Sequence, residues 1–244
     1  MTKKIYIDAG HGGTDCGAIN GKRKEANDVL KMALKVADYL KGQNCEVRLS
    51  RSKNVAKSIS QRCNDANNWG ADYFLSIHRN AAGKTATGNE IWVYSKANAS
   101  TVTKAKNILN AVCKADGLKN RGTHKGASGY TDYGVNRYTK MPAALLELGF
   151  ISNANDNKAF DKNFNAIALA IAKNLLKAVN VDWKGSYLVR VKKTLTVRKG
   201  AGTNHPIAGK VNKGTYTIVK TENGWGKLKS GAGYVELKHT EKVK

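Results

Sequence analysis

The segment Tyr73-Phe74-Leu75-Ser76-Ile77 is apolar at nearly every position, and it constrains the fold more than any other feature of the chain. A strand with one face in water alternates apolar and polar residues. A short continuous apolar run implies a strand covered on both faces, as in the middle of a parallel sheet packed between helices. The segments around it fit. Lys4-Ile5-Tyr6-Ile7 is a β-rich run that ends in Asp-Ala-Gly-His-Gly-Gly, and Glu25 to Leu40 carries Leu30, Leu34, Ala37 and Leu40 at helical spacing. Cys45 to Ser50 reads as a strand, Val55 to Trp69 as a helix, Glu90 to Tyr94 as a strand and Thr101 to Lys114 as a helix. Ala143 to Leu148 is a further strand, and Asn165 to Val179 a closing helix with Ile167, Ala170, Ile171, Asn174 and Leu175 along one side. The order predicts an α/β domain over residues 1–180, a mostly parallel sheet flanked by helices.

After Val179 the texture changes. Short strand-like runs alternate with turn signals: Tyr187 to Val191, Leu195 to Arg198, Lys199 to Gly202, Thr215 to Val219, Glu222 to Gly226 and Gly233 to Leu237. This predicts a small all-β barrel over residues 186–244, joined by a linker at residues 181–185.

The 244 residues carry 42 Lys+Arg against 18 Asp+Glu, a formal net charge of +24. Residues 1–185 hold 29 basic and 15 acidic residues, and residues 186–244 hold 13 and 3, so both modules are basic and the second more densely. With 41% hydrophobic and 25% charged residues the composition is that of a globular protein rather than a disordered one. The charge admits nucleic acid, a membrane surface or any acidic polymer as partner. The basic residues are scattered, and nothing resembles a recognition helix or an RNA-binding aromatic signature, which argues against nucleic acid. No run of about 18 apolar residues offers a membrane span. The first residues, Met1-Thr2-Lys3-Lys4 followed by Ile5-Tyr6-Ile7-Asp8, lack the apolar centre of a signal peptide, so synthesis and folding in the cytoplasm are expected. Cys16, Cys45, Cys63 and Cys113 form no C-x-x-C pair and are expected to be reduced and structural.

Three polar residues stand where an apolar core would not want them. His11 follows the first strand, His78 follows the third, and Glu147 interrupts Ala-Ala-Leu-Leu-Glu-Leu-Gly-Phe. In parallel α/β sheets ligands bind beyond the carboxyl ends of the strands, so the two histidines could share one crevice with Glu147, and Glu25 at the start of the first helix could add an oxygen. Two histidines, a carboxylate and an open fourth position suit a catalytic zinc ion, and the remaining carboxylate could act as general base. Each residue also has a plainer reading. His11 could simply end a strand, Glu25 could be a first-turn acid favoured by the helix dipole, and Glu147 could serve in an ion pair. The spacing is not that of a short-range ligand motif such as H-E-x-x-H.

Four segments carry a resemblance that spacing alone does not. Ile7-Asp8-Ala9-Gly10-His11-Gly12-Gly13-Thr14-Asp15-Cys16-Gly17-Ala18, then Glu25, then Phe74-Leu75-Ser76-Ile77-His78-Arg79-Asn80-Ala81, then Pro142-Ala143-Ala144-Leu145-Leu146-Glu147-Leu148-Gly149-Phe150-Ile151-Ser152-Asn153 together resemble the type 3 family of zinc-dependent N-acetylmuramoyl-L-alanine amidases, over roughly residues 3–180. The resemblance implies a zinc ion on His11, Glu25 and His78 and a catalytic carboxylate at Glu147. The implied reaction is hydrolysis of the amide between the lactyl group of N-acetylmuramic acid and the L-alanine of the peptidoglycan stem peptide. Arg79 departs from the family pattern, in which a small or apolar residue commonly follows the second histidine. It could meet a substrate carboxylate or turn to solvent. Asn80, and His124 in a loop where relatives carry a similar Arg-Gly segment, are the other candidate substrate contacts, with a plain surface position the alternative for His124.

Residues 186–244 resemble a bacterial SH3-like domain through Leu195-Thr196-Val197-Arg198-Lys199-Gly200-Ala201-Gly202-Thr203, Asn223-Gly224-Trp225-Gly226-Lys227-Leu228 and Gly233-Tyr234-Val235, with Thr196 where an Asn is usual. Trp225 and Tyr234 are either core or ligand platform. The resemblance implies peptidoglycan and the anionic polymers of a Gram-positive wall as partners, an endolysin-like or autolysin-like enzyme, and action at the wall after release; the sequence leaves the oligomeric state open, with a monomer favoured. A zinc peptidase of the stem peptide and a non-catalytic wall-binding protein are the alternatives.

Overall fold

A computed structural model describes residues 1–127, 132–183, 185 and 187–243. The chain divides into two compact units, Met1–Asp182 and Trp183–Lys244. Lys184 in the expected linker and Ser186 at the expected start of the second module lie outside the described residues.

The first unit contains β1 (Lys3–Ala9), β2 (Ile19–Asn20), β3 (Arg23–Lys24), α1 (Glu25–Leu40), β4 (Cys45–Leu49), α2 (Ile59–Trp69), β5 (Tyr73–Asn80), β6 (Asn89–Val93), α3 (Ala99–Asp116), β7 (Asn120–Lys125), α4 (Gly134–Arg137), β8 (Ala143–Phe150), α5 (Ala154–Lys162) and α6 (Phe164–Ala178). The main sheet runs β4-β1-β5-β8-β6-β7. Tyr73, Phe74, Leu75 and Ile77 are wholly buried, as the apolar run requires of a central strand. β1, β4, β5 and β8 are mutually parallel, but β6 pairs antiparallel with β8. The sheet is therefore mixed rather than simply parallel. Residues 81–88, between β5 and β6, are too few for the crossover of a dozen or more residues that a parallel return needs, so the chain comes back in the opposite sense. β7, polar throughout as Asn-Arg-Gly-Thr-His-Lys, joins β6 in parallel at the sheet edge.

Helix α2 starts four residues later than its apolar pattern suggests. Ser58 Oγ accepts from Gln61 N at 3.1 Å while Gln61 Oε1 accepts from Ser58 N at 2.9 Å, a capping box that fixes the start at Ile59. Helices α1 and α6 hold most of the apolar stripe that covers one face of the sheet: Val29, Met32, Ala33, Val36, Ile167, Ala168, Ile171 and Leu175 are all at most 1% exposed. The other face packs Tyr6, Phe74, Ala143 and Leu145 on Cys63, Ala66 and Val135. No disulfide forms among the four cysteines.

The second unit is antiparallel β: β9 (Tyr187–Val191), β10 (Leu195–Arg198), β11 (Ile207–Val211), β12 (Gly214–Glu222), β13 (Trp225–Leu228), β14 (Tyr234–Glu236) and β15 (Thr240–Lys242), in the order β11-β10-β14-β13-β12-β9-β15. Val189, Val191, Leu195, Val197, Ile218, Leu228 and Val235 form its core. Trp225 is buried and Tyr234 half-buried. Strand β11, exposed at four of its five positions, and the short polar strand β15 have no counterpart in the sequence reading.

Candidate active site

The site forms where β1, β5 and β8 end beside the start of α1. His11 follows β1 with a φ of 58°, a left-handed conformation that costs a non-glycine residue about 1 kcal/mol or more and persists only where its surroundings enforce it. Two buried arginines do so. Arg51 donates to the carbonyls of Ala9 (3.0 Å), Gly10 (2.7 Å) and Ala26 (2.8 Å), and Arg62 to those of Ala9 and His11 (both 2.7 Å). Arg62 also pairs with Asp8, which takes a second bond from Ser76 Oγ at 2.6 Å. Sequence reasoning passed over this support; Asp8 inside an apolar strand was the one signal that could have pointed to it.

The ring of His11 has Nδ1 at 2.9 Å from Asp15 Oδ2 and Nε2 at 3.1 Å from Glu25 Oε1. Glu25 is the first residue of α1 and is 3% exposed. Its Oε1 also meets His78 Nδ1 at 3.1 Å and accepts from the Arg79 backbone N–H at 2.9 Å, and its Oε2 accepts from Ala18 N at 2.9 Å. Burial alone would raise the Glu25 pKa, but the hydrogen bonds and charges of His11 and His78 override it and hold the carboxyl well below the usual carboxylate range. Burial opposes protonation of His11, and Glu25 and Asp15 outweigh it, so that its pKa rises.

One donor atom each from His11, Glu25 and His78 lie within 4.8 Å of one another. Two imidazole nitrogens and a carboxylate oxygen are donors suited to a zinc-sized ion, and Asp15 at the far nitrogen of His11 supplies the outer-shell carboxylate that fixes a ligand ring. Space is reserved around the cluster. A Cβ at Gly10 would lie 2.3 Å from His78 Cε1, and one at Gly17 would lie 2.6 Å from Glu25 Oε2 and 2.7 Å from His11 Cδ2. The residues present therefore fit a metal ion.

Glu147 lies in register with His78 across β5 and β8 and with Glu90 across β8 and β6. It is buried, and its Oε2 has no hydrogen-bond partner. Burial, reinforced by the charges of Glu25 and Glu90 and only partly offset by Arg79, pushes its pKa well above the usual carboxylate value. A desolvated carboxyl with an idle oxygen costs stability, and such groups concentrate at functional sites. Glu90, unremarked in the sequence, is fixed in its turn by Asn80 Nδ2 (2.7 Å), Trp92 Nε1 (3.2 Å) and Arg121 Nε (2.7 Å).

The three candidate substrate contacts fare differently. Arg79 neither turns to solvent nor reaches the cleft. Alternation along β5 sends it to the face opposite His78, where its side chain is wholly buried, Nη1 donates to Asp28 at 2.8 Å, Nε donates to the Leu148 carbonyl at 2.9 Å, and the guanidinium lies 4.4 Å over the ring of Phe160. Asn80 is half-buried with its amide spent on Glu90. His124 belongs to strand β7 rather than a loop, half-buried, with its ring 4.6 Å from that of Trp92. Beside His11 and His78 opens a cleft lined by Asp15, Lys57, Ile59, Arg62, Tyr133 and Leu145 among others. No helix among the described residues is long and apolar enough to cross a membrane.

Comparison with known proteins places the chain in a family. The chain is 38% identical over 192 residues to the N-acetylmuramoyl-L-alanine amidase CwlM of Bacillus licheniformis, spanning 77% of this chain and 73% of that protein. It is 36% identical over 194 residues to an endolysin of Bacillus phage SPP1, spanning 75% and 69%. The catalytic domain of the amidase CwlV from Bacillus (Paenibacillus) polymyxa var. colistinus superposes with a TM-score of 0.68 at 35% identity, covering 74% of this chain and 99% of that one. The sequence profile of the N-acetylmuramoyl-L-alanine amidases matches residues 5–178, and the chain belongs to that family.

Proposed function

We propose that the protein is a zinc-dependent peptidoglycan amidase that hydrolyses the bond between the lactyl group of N-acetylmuramic acid and the L-alanine of the stem peptide. The observation that carries the reading is the cluster of His11, Glu25 and His78 with the buried Glu147, whose Oε2 has no partner, in register beside it. Bound to that cluster, zinc would supply Lewis-acid polarisation of the scissile carbonyl and a water acidified to a pKa of about 7. Asp15 orients the ring of His11, and Arg51 and Arg62 hold its backbone. Glu147 takes the proton of the attacking water and delivers it to the leaving amine, and its burial raises its affinity for that proton.

The test is product analysis by mass spectrometry on digested walls. Free muramoyl glycan with stem peptides beginning in L-alanine is expected, lost on chelation and regained with zinc. Peptides cut internally would replace the reading by a wall peptidase, and no products by a binding protein.

The β-rich unit, which we read as an SH3-like module, would tether the enzyme to the wall in the manner of an endolysin. Its 13 basic residues against 3 acidic ones within residues 186–244 support attraction to anionic wall polymers. Attraction between exposed charges is screened over about 8 Å at physiological salt and about 3 Å at 1 M. Sedimentation of the protein with purified walls is therefore expected to fall steadily as NaCl rises from 50 mM to 1 M. Retention independent of salt would remove the electrostatic contribution.

A further inference from the structure

The cleft beside His11 and His78 is lined by Arg62 and Lys57, and only the arginine is committed. Arg62 is 5% exposed and spends its guanidinium on Asp8 and on the carbonyls of Lys57, Ala9 and His11. Lys57 is exposed, and its Nζ has no ion-pair partner among the described residues. Its backbone is not free to drift: the Lys57 carbonyl accepts from Arg62 Nε at 2.9 Å, and the next residue, Ser58, is locked by the capping box of α2. The carboxylates in the same cleft are engaged, Asp8 by Arg62 and Ser76, and Asp15 by His11 and the Gly17 N–H. Next to Lys57 the wall is apolar. Ile59 stands 49% exposed at the first position of α2, and Val135 and Leu145 line the same cleft. An unpaired ammonium on an anchored stretch of backbone, beside an apolar ledge, suits a ligand that is anionic and carries small apolar groups.

We propose that Lys57 and Ile59 form a subsite for the stem peptide, with Lys57 recognising a free carboxylate on the residue that follows the alanine at the cut bond. The proposal rests on the amidase reading and adds to it which half of the substrate occupies this side of the cleft. The glycan half of the substrate is an uncharged sugar chain, so the peptide is the half that offers an anion. One residue spans about 3.8 Å between Cα atoms, which puts a carboxylate on the second peptide residue within a lysine's length of the reaction centre.

The experiment uses the full-length zinc-loaded protein and two soluble muramoyl-peptides that differ only at that carboxyl, free in one and amidated in the other. An exposed ion pair is worth up to about a five-fold preference. The unmodified protein is expected to show a KM about five-fold lower for the free acid. Lys57→Ala should bring the ratio to about 1, and Lys57→Glu should invert it. A ratio that stays the same in both variants, or a loss that falls equally on both substrates, overturns the subsite. Failure of the unmodified protein to release L-alanyl peptides from either substrate overturns the amidase reading and the subsite with it.

Discussion

Glu147→Gln is expected to lower the rate of wall hydrolysis by about 10²–10⁴, the usual contribution of a positioned general base, while zinc content stays at the unmodified level. The glutamine keeps the shape of the side chain but cannot accept the proton of the attacking water. None of His11, Glu25 or His78 relies on Glu147 for a hydrogen bond, so the ligand cluster should survive. The same substitution should stabilise the metal-free fold at neutral pH. Burial and the charges of Glu25 and Glu90 raise the proton affinity of this carboxyl in the native state. A group with a raised native pKa favours folding below its unfolded pKa of about 4.3, and that advantage is lost as pH rises through the native value. The glutamine variant has no such loss. In thermal melts of chelated protein it should therefore melt higher than the unmodified protein at pH 7, with the gap closing below about pH 4. Hydrolysis within ten-fold of normal would dismiss Glu147 as the base. A lower melting point at pH 7 would show that its carboxylate has a partner in solution.

How much of this site could be read from the sequence depends on whether the cause was local. His11 and His78 end strands that the apolar pattern reveals, and Glu147 stands out because everything beside it is apolar, so the convergence of these residues and Glu25 was legible in outline once the strands were placed. The fate of Arg79 was not. Its partner Asp28 is 51 positions away and Leu148 is 69, and only the alternation of β5 decides that it faces away from His78. Glu90 was obscured for a similar reason, since its three donors come from Asn80, Trp92 and Arg121 on three strands. The sense of β6 could have been inferred from the shortness of residues 81–88. The edge strand β7 could not, because its polar residues carry no period-2 signal.

Arg79→Ala is expected to destabilise the protein by about 3–5 kcal/mol in urea denaturation with zinc present, the combined range for opening a core cavity and leaving a buried carbonyl unpaired. The guanidinium joins three elements. It donates to Asp28 on α1, which begins with Glu25, to the carbonyl of Leu148 on β8, next to Glu147, and it lies over Phe160 on α5. Alanine would open a cavity against Phe160 and leave the Leu148 carbonyl unpaired. Asp28 would not be left alone, since Arg23 Nε also reaches it at 2.6 Å. Arg79→Met separates the contributions. Methionine restores most of the lost volume, and it avoids burying Nη2, which finds no partner in the native structure. With Asp28 still paired to Arg23, the methionine variant should recover at least half of the loss, because desolvating a guanidinium is itself costly. If the alanine variant unfolds within about 1 kcal/mol of the unmodified protein, the network is ornamental. If methionine is as damaging as alanine, the hydrogen bonds to Leu148 and Asp28, rather than the filled volume, hold α1 and β8 together. Either result bears on catalysis, since these two elements carry the proposed metal ligand Glu25 and the proposed base Glu147.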